Sequence, residues 1–336
     1  MSDLQLQSIR LKRDVRIAEV NGEAILSHLG YEYRLDPAGT RLLRKLRPWL
    51  DGDHDSASIA STIDEPVAAV EQLALALHDR GVVGIRRRDG REPLMSGEAF
   101  HAYHRKYAEH WLQPVYAHPF WAKVAEGRAT RAQVIGFAFE KYHYIEGAHE
   151  HMGIAAANAR PEMMKHLARH FIEEYRHGDI YRRGLQSLFA DDAILDAPPL
   201  PTTRALVNFL NEAAAVDSFG YYAANEVLQM TENSDGSDED NAVNAFYDGM
   251  RRHYPYADKL IDSFIIHTKL DQNLGHADVF AQMCADVPPL TLREVQAVMN
   301  LTREVTERLL AFMDGIDRFY AAFPDVPRRV HPLGAA

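Results

Sequence analysis

Four apolar segments of this chain carry side chains that bind iron-group metals: Glu140, then Glu174 and His177, then Glu226, then His267, Asp271 and His276. In "VIGFAFEKYHYIEGAHEHM", Val134, Phe137, Tyr144 and Ala148 recur at helical spacing, and Glu140 lies among them on one stripe. In "HLARHFIEEYRHGDIY", Leu167, Phe171 and Ile180 mark an inner face. Glu174 and His177 are three positions apart there, about 300° around a helix and so on one side of it. The segment "VDSFGYYAANEVLQM" reads as a core helix with Glu226 inside it. In "HTKLDQNLGHADVF", His267 and Asp271 stand at i and i+4, about 40° apart in projection. A lone core glutamate usually finds an arginine or a tyrosine hydroxyl. Several carboxylates buried together without cations are prohibitive, because like charges resist ionising side by side. A pair of metal ions held by carboxylate oxygen and imidazole nitrogen resolves the problem, and helical bundles build such centres from inward-facing side chains.

The elements that must position these residues are helices. From about residue 98 the pattern is helical almost throughout, with helices expected over 98–111, 115–126, 130–157, 161–187, 202–231, 240–252, 256–283 and 290–322. The last carries Val295, Val298, Met299, Thr302, Val305, Leu309 and Phe312, a stripe that closes the core. The first 95 residues differ. "RDVRIAEVNGEAILSHLGYEYRLD" alternates apolar and polar residues around Asn21-Gly22, a hairpin-turn dipeptide. Helical segments follow, with Leu42, Leu43, Leu46 and Leu50 on one side of the first and Pro66 at the start of the third, before the strand "VVGIRRR". The expected organisation is a winged-helix-like α+β domain over 1–90, a charged linker over 91–99 and a helical domain over 100–325.

Composition narrows the function classes. The chain has 336 residues, 46% hydrophobic and 25% charged, which suits a globular protein with a real core. The formal charge of −11 argues against a nucleic-acid partner. The segment 66–80, "EPVAAVEQLALALHD", lacks the basic residues that a DNA-reading helix needs. There is no run of about 18 apolar residues for a membrane span and no apolar signal core in "MSDLQLQSIRLKRDV". A single cysteine, Cys284, fits a reducing compartment. The expected setting is the cytoplasm, and a long acidic bundle of this kind is expected to form a homodimer.

Two resemblances sharpen the picture. Residues of about 10–88 resemble, in pattern, the peptide-recognition domain typified by pyrroloquinoline quinone biosynthesis protein D. That likeness implies binding of a ribosomal precursor peptide by strand addition at a sheet edge. The stretch "HPFWAKVAEGRATRAQVIGFAFEKYHYIEGAHEHMGIAAAN", followed by "HFIEEYRHGD", is similar to the core of the pyrroloquinoline quinone synthase family, over roughly 100–325. This likeness implies a haem-oxygenase-like helical fold. That synthase is cofactorless and lacks an acidic ligand set. The haem-oxygenase-like diiron oxidases have one, and the resemblance to them maps it onto Glu140, Glu174, His177, Glu226, His267 and Asp271. Their last motif, His-x-x-x-Asp-x-x-His, ends differently here, since Leu274 stands where the final histidine belongs. A one-residue π-bulge around 273–275, eased by Gly275, would bring His276 into place as the seventh ligand. His143, three residues after Glu140, is an alternative ligand or a substrate contact. His118 matches a substrate-pocket histidine of the synthase.

The resulting expectation is a non-haem diiron oxidase or oxygenase using two Fe ions (Mn/Fe mixtures take similar ligands) and dioxygen as cosubstrate. Glu140, Glu174, His177 and Asp271 form its catalytic core. Its substrate would be derived from an amino acid or carried on a leader peptide in natural product biosynthesis. The alternatives are a cofactorless oxidase in which the same residues act as acids and bases, and a non-enzymatic winged-helix adaptor.

Overall fold

The structure is a computed structural model. It describes every residue except 1–5, 14, 30, 88–93, 190–194, 231–237, 275–278 and 324–336, and only the backbone of 87, 238–245 and 272–274. The chain divides into two compact units, 1–110 with 284–296, and 111–283 with 297–336.

The first unit begins with β1 (Leu6–Leu11), β2 (Arg16–Val20), β3 (Glu23–His28) and β4 (Tyr31–Arg34). Helices α1 (Pro37–Leu46), α2 (Ser56–Ile63) and α3 (Val67–Asp79) follow, then β5 (Val83–Arg87). β2, β3 and β4 form an antiparallel sheet in that order, and β1 pairs with β5. The β2–β3 register closes at Val20 opposite Glu23. Asn21 and Gly22 in the turn both take positive φ, 54° and 83°, the backbone that matches the twist of a two-residue hairpin. Asp36 caps α1 by accepting from the Gly39 amide at 2.6 Å, and Asp55 caps α2 through the Ser58 amide at 2.6 Å. The core gathers Leu6, Ile9, Leu26, Leu43, Leu46 and Val70. Helix α4 (Gly97–Tyr116) starts in this unit and packs on β4. The Lys106 ammonium lies 4.8 Å from the centre of the Tyr33 ring and donates to the Arg80 carbonyl at 3.3 Å, at the C-terminal end of α3. The Tyr31 hydroxyl donates to Glu109. Met95 and Leu290 exchange backbone hydrogen bonds of 2.8 and 2.7 Å. This unit therefore runs through His110 and includes 94–99, part of the stretch expected to be a linker.

The second unit is helical: α5 (Pro119–Ala125), α6 (Arg131–Glu146), α7 (Ala148–Ala157), α8 (Met164–Glu174), α9 (Gly178–Gln186), α10 (Pro201–Val216), α11 (Ser218–Met230), α12 (Asp238–His253) and α13 (Asp258–Leu274). Helices α14 (Val279–Asp286) and α15 (Leu292–Ala322) follow. Three helices expected as continuous are each divided. Gly147 separates α6 from α7. Asp217 leaves the helical backbone (φ −151°, ψ 107°) and accepts from the Phe219 and Gly220 amides at 3.2 Å each, ending α10 and starting α11. The chain between α8 and α9 turns through residues 175–177. None of the described helices is long and apolar enough to cross a membrane.

Candidate metal centre

The break between α8 and α9 creates the centre of the site. Glu174 is the last residue of α8, and its carbonyl accepts from the Arg176 and His177 amides at 2.8 and 3.1 Å. His177 is the residue before α9. The Glu-x-x-His pair thus straddles a turn, where the sequence pattern placed it on one helix face. The two side chains still meet, with His177 Nδ1 2.7 Å from Glu174 Oε2. Helix α13 is continuous, and the i,i+4 spacing there does what it predicts: His267 Nδ1 lies 3.0 Å from Asp271 Oδ2. α9 packs on both α6 and α13. At Gly184 of α9 an added Cβ would lie 2.2 Å from Ser263 Oγ and 2.9 Å from its Cβ, so the two helices approach closely because this position has no side chain.

That packing brings the two motifs together. His177 Nδ1 is 3.6 Å from Asp271 Oδ1. Glu174, His177, His267 and Asp271 each place one ligand atom within 4.8 Å of all the others. Oxygen and nitrogen donors held about 2.1 Å from a first-row metal lie roughly 3–4.2 Å from one another. The group, up to 4.8 Å across, is thus close to the size of a coordination sphere but wider by as much as about 0.6 Å, so its donors draw in slightly to hold one ion. All four side chains are at most 9% exposed. Two carboxylates and two imidazoles offer hard and borderline donors, suited to iron, manganese or zinc and not to copper(I), which prefers sulfur. Two carboxylates also balance the charge of a divalent ion in a region where uncompensated acids would be costly. The residues present thus fit a metal ion. Tyr181 and Phe264 wall the site: Tyr181 meets the His267 ring edge-on at 5.1 Å and Phe264 at 5.4 Å.

Glu226 is 3% exposed in the middle of α11. It shares a face with Tyr222 and Gln229, four residues before it and three after. Both of those reach His170, whose Nε2 is 3.4 Å from Glu174 Oε1. The helix face that bears Glu226 is therefore turned toward the α8 end of the cluster. His276 lies outside the described residues, as does Gly275 of the expected bulge.

Glu140 is not brought into this group. It is fully buried, and three donors occupy its carboxylate: the Leu200 amide at 2.9 Å, Thr203 Oγ at 2.5 Å and Tyr320 Oη at 2.7 Å. The first two belong to the N-terminal turn of α10, where a carboxylate satisfies otherwise unpaired amides and the positive end of the helix dipole. Burial raises the Glu140 pKa, opposed by these hydrogen bonds. His118 caps α5, accepting from the Phe120 amide at 3.2 Å, and its Nε2 lies 3.4 Å from Asp314. His143 packs edge-on against Phe139 at 4.6 Å, and burial pushes its pKa down to about 4. Neither histidine is part of the described cluster.

Sequence reasoning passed over two buried histidine–tyrosine pairs beside the cluster. His170 Nδ1 lies 3.2 Å from Tyr222 Oη, and His151 Nδ1 lies 2.6 Å from Tyr221 Oη. Burial raises both phenol pKa values, with the Glu174 charge adding to the effect, and holds His151 down near 3. One signal was available: His170 stands four residues before Glu174, a same-face helical spacing.

A profile of the TENA/THI-4/PQQC family matches residues 104–224. No curated protein matches the chain. Among solved structures, a domain of unknown function with a heme oxygenase-like fold from Shewanella denitrificans is 18% identical, covering 68% of this chain and 97% of that one, with a TM-score of 0.56. A TenA homologue from Pseudomonas syringae pv. tomato is 13% identical, covering 67% of this chain and 97% of that one, with a TM-score of 0.50. At such identities the likeness speaks for the fold, which is that of a haem-oxygenase-like helical bundle carrying a small N-terminal α+β unit.

Proposed function

We propose that this protein is a non-haem iron oxidase or oxygenase whose metal is held by Glu174, His177, His267 and Asp271. The observation that carries the reading is the convergence of those four donors, from the α8–α9 turn and from α13, within 4.8 Å of one another. Glu226 and His276 are the candidates to complete a second iron position. Iron bound there supplies the means to activate dioxygen.

The protein's own residues have separable tasks in this account. Glu174 and Asp271 bring the negative charge, and His177 and His267 bring neutral nitrogen donors. The edge-on contacts of Tyr181 orient the His267 ring and keep water from its apolar side. The buried setting of all four residues gives the site the low dielectric in which fixed charges act strongly. The substrate class we assign is an amino-acid-derived group, free or borne on a peptide, and the setting is the cytoplasm. The first unit would recruit a peptide by adding it as a strand. The outer edge of β2 supports that assignment: four of its five residues are exposed, and β3 is its sole strand partner among the described residues. The test of the catalytic reading is anaerobic loading with Fe(II), a metal count, and measurement of oxygen uptake on exposure to dioxygen. Stoichiometric iron with oxygen uptake is expected, and a protein that takes up neither contradicts it.

A further inference from the structure

We propose that His170 and Tyr222 form a positioning relay that sets the orientation of Glu174 toward the metal. The inference rests on the metal reading given above. The geometry is a continuous chain: Tyr222 Oη to His170 Nδ1 at 3.2 Å, His170 Nε2 to Glu174 Oε1 at 3.4 Å, and Glu174 Oε2 to His177 Nδ1 at 2.7 Å. Its two outer members are sealed from solvent, His170 at 0% and Tyr222 at 1% exposure.

Chemistry gives the chain a direction. A phenol has one proton to donate, and a neutral imidazole has one N–H and one bare nitrogen. When Tyr222 donates to Nδ1, the His170 proton must reside on Nε2, which then points at Glu174 Oε1. That oxygen is thereby engaged on the outer side, and Oε2 is the one presented to the ligand group. Without the relay the carboxylate of the last residue of α8 could rotate about its terminal bond, a broad two-fold torsion. Outer partners of metal ligands act in this way on ligand orientation and basicity, and losing one typically costs about 10–100-fold in metal affinity. The Gln229 amide lies at the same atom, its nitrogen 3.3 Å from His170 Nε2; an amide nitrogen only donates, so this direction of the relay turns the amide to present its oxygen to the His170 Nε2 proton. Tyr222 and Gln229 bracket Glu226 on α11, so the relay also ties the helix that carries Glu226 to the end of α8.

The neighbouring pair supplies its own control. Tyr221, on the same helix as Tyr222, makes a shorter contact of 2.6 Å with His151 of α7; both are equally buried, and neither hydrogen-bonds Glu174 among the described residues. The experiment is anaerobic titration of the full chain with Fe(II) alone, and with Co(II) as a visible-absorption probe of ligand geometry. It compares wild type with His170→Ala, His170→Gln, Tyr222→Phe and Tyr221→Phe. The relay predicts affinity lowered about 10–100-fold in His170→Ala and a changed Co(II) spectrum in both His170→Ala and Tyr222→Phe. His170→Gln, whose amide nitrogen can donate to Glu174 in place of Nε2, is expected to recover most of the affinity. Tyr221→Phe is expected to keep the wild-type affinity and spectrum. Wild-type behaviour of His170→Ala, or equal losses in Tyr221→Phe and Tyr222→Phe, would overturn the relay while the metal reading stood. A wild type that binds neither metal would instead overturn the metal reading.

Discussion

His177 Nδ1 lies 3.6 Å from Asp271 Oδ1, although one residue follows the end of α8 and the other sits near the end of α13. This contact joins two motifs that are each weak alone. A Glu-x-x-His pair and a His-x-x-x-Asp pair occur on many solvated helix faces. Here both are buried and they face one another, which brings two acids and two imidazoles into one group close to coordination size.

The approach of α9 to α13 depends on Gly184. A Gly184→Ala substitution sets a methyl group against Ser263 and drives the helices apart. Overpacking of this kind costs about 1–3 kcal/mol. The variant is expected to melt several degrees lower and to bind Fe(II) more weakly, because its two halves of the site separate. Thermal unfolding paired with anaerobic metal titration reads both effects.

Glu140 behaves oppositely. Glu140→Ala strands the Leu200 amide and the Thr203 and Tyr320 hydroxyls in a buried pocket. A loss of roughly 2–4 kcal/mol of stability is expected. The folded fraction is expected to keep its iron, since the carboxylate serves the start of α10. Denaturant unfolding and a metal count on the same preparation decide the matter, and loss of metal from well-folded protein would return Glu140 to the ligand set.

His143 makes stability depend on pH. Burial holds its folded pKa near 4, against 6.5 for the free side chain. Between those values the unfolded chain takes up a proton that the folded chain refuses. Its contribution is therefore fully present above about pH 6.5, declines as pH falls toward 4 and is level below that. The span is worth roughly 2–3 kcal/mol. His143→Gln is expected to flatten the stability profile over this window and to leave metal content unchanged. An unaltered slope would contradict the assignment.

A ligand that binds only the folded state stabilises it by mass action. Fe(II) at about 100 times its dissociation constant adds roughly 2.7 kcal/mol, which for a unit of this size raises Tm by about 5–10 °C. A chelator is expected to reverse the shift, and Asp271→Ala is expected to show none.

What the sequence discloses tracks how local the physics is. The Asn21-Gly22 turn was legible because hairpin backbone preference resides in those two residues. The pairing of His267 with Asp271 was legible because one helix holds both. Periodicity also placed Glu140 on a buried face, and it is buried. Its partners lie at positions 200, 203 and 320, so no pattern within the segment could identify them. The same distance hid Tyr222 behind His170. The turn at 175–177 carries no proline, and a helical period reads straight through it. Gly178, just beyond it, packs tightly against Glu146, where a Cβ would meet Oε2 at 2.0 Å. Contacts between helices thus shape the region, and a single-segment pattern does not contain them.

The most direct measurement is the iron content of wild type and of a Glu174→Ala/Asp271→Ala double variant, both loaded anaerobically with Fe(II) and freed of loose metal. The account predicts about two irons per wild-type chain, as carboxylate-bridged centres in helical bundles hold, and loss of both in a variant that remains folded. Wild type holding no more iron than the double variant would contradict it.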